Sequence, residues 1–200
     1  MISDAKNRSR TSDENILELQ INDGEREQLS LIQSGVAEIR VYKAGLYPTV
    51  VSFFLADGNL VTIRAREVGI APRFEVFPIS VSAELLKVDA EQVIDCKDRS
   101  DDLSVFLLSK AEWSVPTSPE DQAQLLGDPK GSTTQYEGKA ADIPADARDS
   151  VVYDAGIEIR NSDGWSFVVA SSMFPFALYV SGCDFSEAVD GSLYNRLAIC

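Results

Sequence analysis

Histidine is missing from this chain of 200 residues. It is the side chain whose unperturbed pKa lies nearest neutral pH. Without it no Ser–His or Cys–His catalytic pair can form, and the common zinc and non-haem iron ligand sets cannot be assembled. Cysteine is scarce: Cys96, Cys183 and Cys200, an odd number at wide spacing, do not make a disulfide framework. With no imidazole to activate a thiol, Cys96 and Cys183 read as small, semi-buried residues. Apolar runs are short. The longest, such as Phe174–Val180, are strand-sized, far below the ~18 residues a membrane helix needs. Met1–Lys6 contains no apolar leader, so a cytoplasmic location is expected. Basic residues are outnumbered, 18 against 32 acidic, for a net charge of −14. That balance argues against nucleic acid and anionic lipid as partners, since both need a basic patch.

The familiar phosphate-binding patterns, GxGxxG and GxxxxGK[ST], are also absent. Asp98–Asp102 begins like a calcium loop, but Leu103 and Ser109 occupy the positions that need glycine and glutamate. Carboxylates are abundant, yet no pair stands in a context that marks an acid–base site. No cofactor, no metal and no catalytic residue is expected.

What is present is alternation. Apolar residues recur at every second position in Asn15–Asn22, Ala37–Lys43, Leu60–Ala65, Arg73–Ser82 (broken by Pro78) and Trp165–Ser171. Denser runs at Val50–Ala56, Leu103–Leu108, Ala111–Val115, Val151–Tyr153, Gly156–Arg160 and Phe176–Ser181 read as further strands. Gln92–Cys96 and Leu193–Ile199 complete the set. Asn22-Asp23-Gly24, Asp57-Gly58 and Asp163-Gly164 read as turns, the last two closing hairpins. Helices are expected after Thr117, where Pro119, Glu120 and Asp121 suit a first turn, and between Asp184 and Glu187. The predicted fold is mainly β: an antiparallel sandwich or barrel-like domain with one or two short helices. Residues 1–14 read as a mobile tail and 15–200 as one globular domain.

The two Asp-Gly hairpins resemble each other. Val51, Phe53, Val61 and Ile63 align with Ile157, Ile159, Phe167 and Val169 at a constant offset. Duplication would make 15–100 and 101–200 related half-domains. Any two such hairpins share this much, however, and the plainer reading is preferred.

The segment Asp128–Ser150 is long, polar and rich in Gly, Pro and Asp, and it reads as a loop. Glu137, Asp142, Asp146 and Asp149 lie in it, and the 101–200 half holds 16 acidic against 6 basic residues. A flexible acidic segment beside a rigid sheet steers a basic partner into contact. These four residues are therefore the expected partner-binding set. Trp165 joins them as the expected anchor, because it directly follows a hairpin turn. Arg64 and Arg66, on one strand face, form a weak anion-binding candidate.

The composition points to a non-enzymatic, acidic protein-binding domain. It has the character of an inhibitor or immunity protein that neutralises a basic partner. Bacterial immunity proteins are alike in type, but no motif places the chain among them. A small-ligand β-module with an apolar pocket, and a structural or assembly subunit, remain the alternatives.

Overall fold

The computed structural model describes residues 8–10, 16–71, 74–87, 90, 92–96, 102–118, 133–172, 174–182 and 193–199. In chain order the first part holds β1 (Arg8–Arg10), β2 (Ile16–Leu19), α1 (Asp23–Ser30), a 3-10 turn (Leu31–Ser34), β3 (Val36–Ala44), β4 (Tyr47–Leu55) and β5 (Leu60–Ala65). It continues with β6 (Val68–Ala71), β7 (Phe74–Val76), β8 (Ile79–Ser82) and β9 (Gln92–Asp95). The second part holds β10 (Ser104–Pro116), β11 (Thr133–Gly138), β12 (Asp149–Arg160), β13 (Ser166–Ser171), β14 (Leu178–Ser181) and β15 (Asn195–Ile199). The protein is mainly β, as the alternation predicts, and every pairing is antiparallel except β2 with β12.

Several local expectations change. Asn22-Asp23-Gly24 is not a turn but a helix start. The Asn22 side chain accepts from the Glu25 amide at 2.9 Å, and the Glu25 carboxylate accepts from the Asn22 amide at 2.9 Å. This reciprocal capping box, with the burial of Leu29 and Ile32 behind it, outweighs the turn propensity of Asn-Asp-Gly. α1 and the following turn place Leu29 and Ile32, both fully buried, in the core. The segment read as a long loop contains β11 and a 3-10 turn at Ala140–Asp142. The two strands expected at 103–108 and 111–115 are one, and so are those at 151–153 and 156–160. Arg8–Arg10, inside the stretch read as a tail, pairs with β2. The helix expected after Thr117 and the one at Asp184–Glu187 lie outside the described residues.

The core is built between a five-stranded sheet and five strands of an eight-stranded sheet, which match strand for strand. The first runs β8-β5-β4-β3-β9, and the matching strands of the second run β14-β13-β12-β10-β15. Register matches too. Val51 pairs with Ile63 and Val41, as Ile157 pairs with Val169 and Leu107. Ile63 pairs with Val81 as Val169 pairs with Val180, and Ile39 with Ile94 as Val105 with Ile199. The turns agree in detail. Gly58 and Gly164 both have φ 88°, a left-handed value that glycine adopts without steric cost. The Arg66 amide reaches the Pro78 carbonyl at 2.8 Å just as the Ser172 amide reaches the Ala177 carbonyl at 3.0 Å. The likeness of the two hairpins thus extends through ten strands, well beyond what an Asp-Gly turn imposes. Val41, Val51, Phe53, Val61 and Ile63 from one sheet meet Leu107, Ile157, Ile159, Phe167 and Val169 from the other in a single buried cluster. Phe53 and Phe167 cross it edge to face, with centroids 5.9 Å apart.

Both sheets also carry a bulge at the matching place. Thr49 is unpaired between Val50 (opposite Tyr42) and Pro48 (opposite Lys43), and Ala155 is unpaired between Gly156 (opposite Leu108) and Asp154 (opposite Ser109). A bulge inserts one residue and reverses which side chains face the core. Ile157 and Ile159 therefore point into the sandwich, whereas Val151 and Tyr153 join a second cluster on the other face with Leu19, Phe74, Val76 and Tyr194. Gly156 sits where strands press together: a Cβ there would lie 2.3 Å from the Val169 carbonyl oxygen. Beyond the bulge the two sheets part company. β3 and β4 close at once through Gly45 and Leu46, while β10 and β12 run on as a long ribbon flanked by β11 and β2.

Candidate interaction surface

The extended ribbon has no counterpart in the first sheet, so its side chains are not required by the repeated sandwich. Along β10 beyond the bulge, Lys110, Glu112 and Ser114 share one face by strand alternation. Lys110 is 2% exposed. Its ammonium donates to Glu137 at 2.8 Å, lies 3.1 Å from Glu112, and stands over the Tyr153 ring at 5.6 Å. The fully buried Tyr153 donates its phenolic proton to Glu112. Burial alone would push the Lys110 ammonium down; the oxygens of Tyr153, Glu112, Tyr194 and Glu137 outweigh it and raise the pKa. Burial also drives the Tyr153 phenol well above its ordinary range, only partly offset by Lys110. Lys110 is thus charged and Tyr153 neutral at any physiological pH. A lysine that acts as a nucleophile must instead be neutral when it works. This network ties β10, β11 and β12 together.

The predicted acidic residues gather on this ribbon with unequal freedom. Glu137, on β11, is occupied by Lys110. Asp142, exposed in the 3-10 turn, accepts from the Lys139 amide at 2.8 Å. Asp149 opens β12 and accepts from the Ser114 hydroxyl at 3.1 Å. Asp146 is exposed in the turn between them. Beside them Tyr136 is 47% exposed and stacks on Trp113 at 6.3 Å. Trp165 is not brought to this place. It lies past Arg160, at the far end of β12 from Asp149, a separation of about 35 Å along the strand. It is half-buried and packs on Phe167 and the main core rather than standing free at the hairpin tip.

The two arginines read as an anion-binding candidate sit at the end of β5. Arg64 is bridged to Glu84 at 3.1 Å, and Arg66 lies beyond the end of β5. The Nε of each is buried without a hydrogen-bond partner among the described residues.

Asp154, at the bulge, is 4% exposed and was not singled out by the sequence. Burial raises its pKa, against the Ile21 amide at 2.9 Å and the Arg26 guanidinium at 3.8 Å. Gln20, Arg26, Ser109 and Asp154 line a cavity of 90 Å³. That volume holds on the order of three waters. Ligand pockets begin near about 300 Å³, so this cavity is below the size of a ligand pocket. Among the described residues no group of three or more carboxylates and cysteines is placed to hold a metal ion. No described helix is long and apolar enough to cross a membrane.

Compared with protein-family models, curated proteins and solved structures, the chain matches none of them. The functional reading therefore rests on its own geometry.

Proposed function

We propose that this chain is a non-enzymatic, acidic binding protein that engages a basic protein partner through the β10–β12 ribbon, in the manner of an inhibitor or immunity protein. One observation carries the reading. The acidic residues Glu137, Asp142, Asp146 and Asp149 lie on the extension that the repeated sandwich does not need. The buried Lys110 network holds this extension rigid, and a fixed array of charge steers and orients a partner better than a mobile one. Asp142, Asp146 and Asp149 supply the steering charge. Glu137, neutralised by Lys110, serves chiefly to hold the frame.

The test is a triple replacement, Asp142→Asn, Asp146→Asn and Asp149→Asn. Partners retrieved from the native host by the wild-type chain should be basic proteins. Their association with the variant should be slower and less sensitive to salt, because three attractive charges are gone. Acidic partners, or an unchanged on-rate at low salt, would overturn the proposal. So would turnover of a substrate that one carboxylate replacement abolishes without unfolding the chain.

A further inference from the structure

β1 is a basic strand that the chain lays on its own acidic ribbon. Residues 5–12 contain Lys6, Arg8 and Arg10 at alternate positions and no carboxylate, in a chain of net charge −14. Arg8 pairs opposite Leu19 of β2, and Arg10 opposite Leu17. β2 in turn runs beside β12, with Leu17 opposite Val151 and Leu19 opposite Tyr153. β1 therefore ends the ribbon on one side, as β11 ends it on the other. Arg10 falls two strands from β12 and two residues from the level of Asp149, a backbone separation on the order of 12 Å. Charges at that range still attract at low salt.

The pairing of β1 is slight. It has three residues, whereas β10 has 13 and β12 has 12. Among the described residues it pairs on one side only, and the strands shared by the two sheets include no counterpart of it. Short edge pairings are the first to open. The strand beneath is held more firmly. Leu19 of β2 is buried, and β12 binds β2 from the other side. With β1 away, β2 would offer an edge of amides and carbonyls to any extended segment.

Granted the basic-partner reading on which this rests, we propose that β1 keeps the partner's place. Arg8–Arg10 occupy the β2 edge in the free protein. An extended segment of the partner that bears lysine or arginine displaces them and pairs with β2. Main-chain hydrogen bonds to β2 supply the affinity, and the charge of the ribbon selects a basic segment. β1 thus sets a threshold: only a segment that outcompetes the chain's own strand is bound.

The probe is a fluorescein-labelled peptide of residues 5–12, and its control has Lys6, Arg8 and Arg10 replaced by serine. Replacing Arg8, Ser9 and Arg10 of the whole protein by proline empties the edge, because proline donates to no ladder. Fluorescence anisotropy at low salt should show saturable binding of the basic peptide to this variant below about 1 mM. Wild type should bind it at least about tenfold more weakly, the factor expected where the edge is empty in one molecule in ten or fewer. The serine peptide should bind the variant at least about tenfold more weakly than the basic one. Asp149→Asn, added to the variant, should weaken the basic peptide about two- to fivefold. In wild type, saturating basic peptide should speed amide exchange in 8–10 and leave 16–19 protected. That readout needs no substitution. Equal binding by wild type and variant, equal binding of the two peptides, no saturation, or protection of 8–10 that persists at saturation would each overturn the proposal. Basic proteins from the host should associate severalfold faster with the proline variant than with wild type. If they associate no faster, yet more slowly with the triple Asn variant, the basic-partner reading stands and this one falls.

Discussion

Replacing Lys110 by methionine tests whether the ribbon is held by charge. The side chain is 3% exposed, Glu112 is 16% exposed and Glu137 is 39% exposed. At 3.1 Å the gross attraction between Lys110 and Glu112 is roughly 5 kcal/mol at an effective dielectric of 20. Removing one partner of a buried pair strands the other, and typically costs about 3–5 kcal/mol. Glu112 retains the Tyr153 hydroxyl and some solvent, so the lower end applies: Lys110→Met should cost about 3 kcal/mol. Glu137→Gln should cost less than about 1 kcal/mol, because Glu137 is more than a third exposed and water screens it. The double variant Lys110→Met/Glu112→Gln removes the stranded charge and should recover about half of the loss. Urea denaturation at neutral pH measures each value, with an unchanged m-value as the check on the folded state. A single-variant loss under about 1 kcal/mol, or a double variant no better than the single, would refute this account.

Further outcomes follow from the same geometry. Asp154→Asn should leave stability equal or higher at neutral pH. Burial raises the Asp154 pKa, so its contribution is present below the ordinary carboxylate range and lost as pH climbs through the raised value. Thermal melts should therefore converge in acid, and a variant less stable at pH 7 than at pH 4, relative to wild type, would contradict it. Gly156→Ala should destabilise by about 3 kcal/mol, the upper range for overpacking, because the new Cβ meets backbone at 2.3 Å. Denaturant midpoints would show it, and a neutral result would mean the strands are less tightly apposed. Gly58→Ala and Gly164→Ala should each cost about 1–2 kcal/mol, from left-handed strain with open space around the Cβ. Equal losses are expected because the two turns are equivalent, and a severalfold difference would argue against that equivalence.

The mainly-β character, most strand positions and both Asp-Gly hairpins follow from the sequence alone. Period-two alternation and positive-φ turn residues are local signals, and they act over a few residues whatever the rest of the chain does. The capping box at Asn22–Glu25 was also present in the sequence, but Asn-Asp-Gly carries an equally strong turn signal. Only packing of Leu29 and Ile32 into the core decides between them. The four acidic residues of the ribbon were legible as a cluster, because charge is visible in composition. That Glu137 is tied to Lys110 while Asp146 stays exposed was not. Ser109 and Lys110 fall between the two strands expected at Leu103–Leu108 and Ala111–Val115, since a lysine inside an apolar run is an interruption until its carboxylate partners are known. Glu112 lies two residues on in the same strand, whereas Glu137 and the Tyr153 ring arrive through the register of β10 with β11 and β12. The match between the two sheets lay hidden for the same reason. Ten strands agree in order and pairing, yet pairing is a relation between distant segments, and side chains vary freely as long as each face stays apolar. What the sequence determined was therefore the local alternation and the sign of the charge. The bulges that turn Tyr47 and Tyr153 away from the sandwich core, and the second cluster that buries only Tyr153, were decided by tertiary structure.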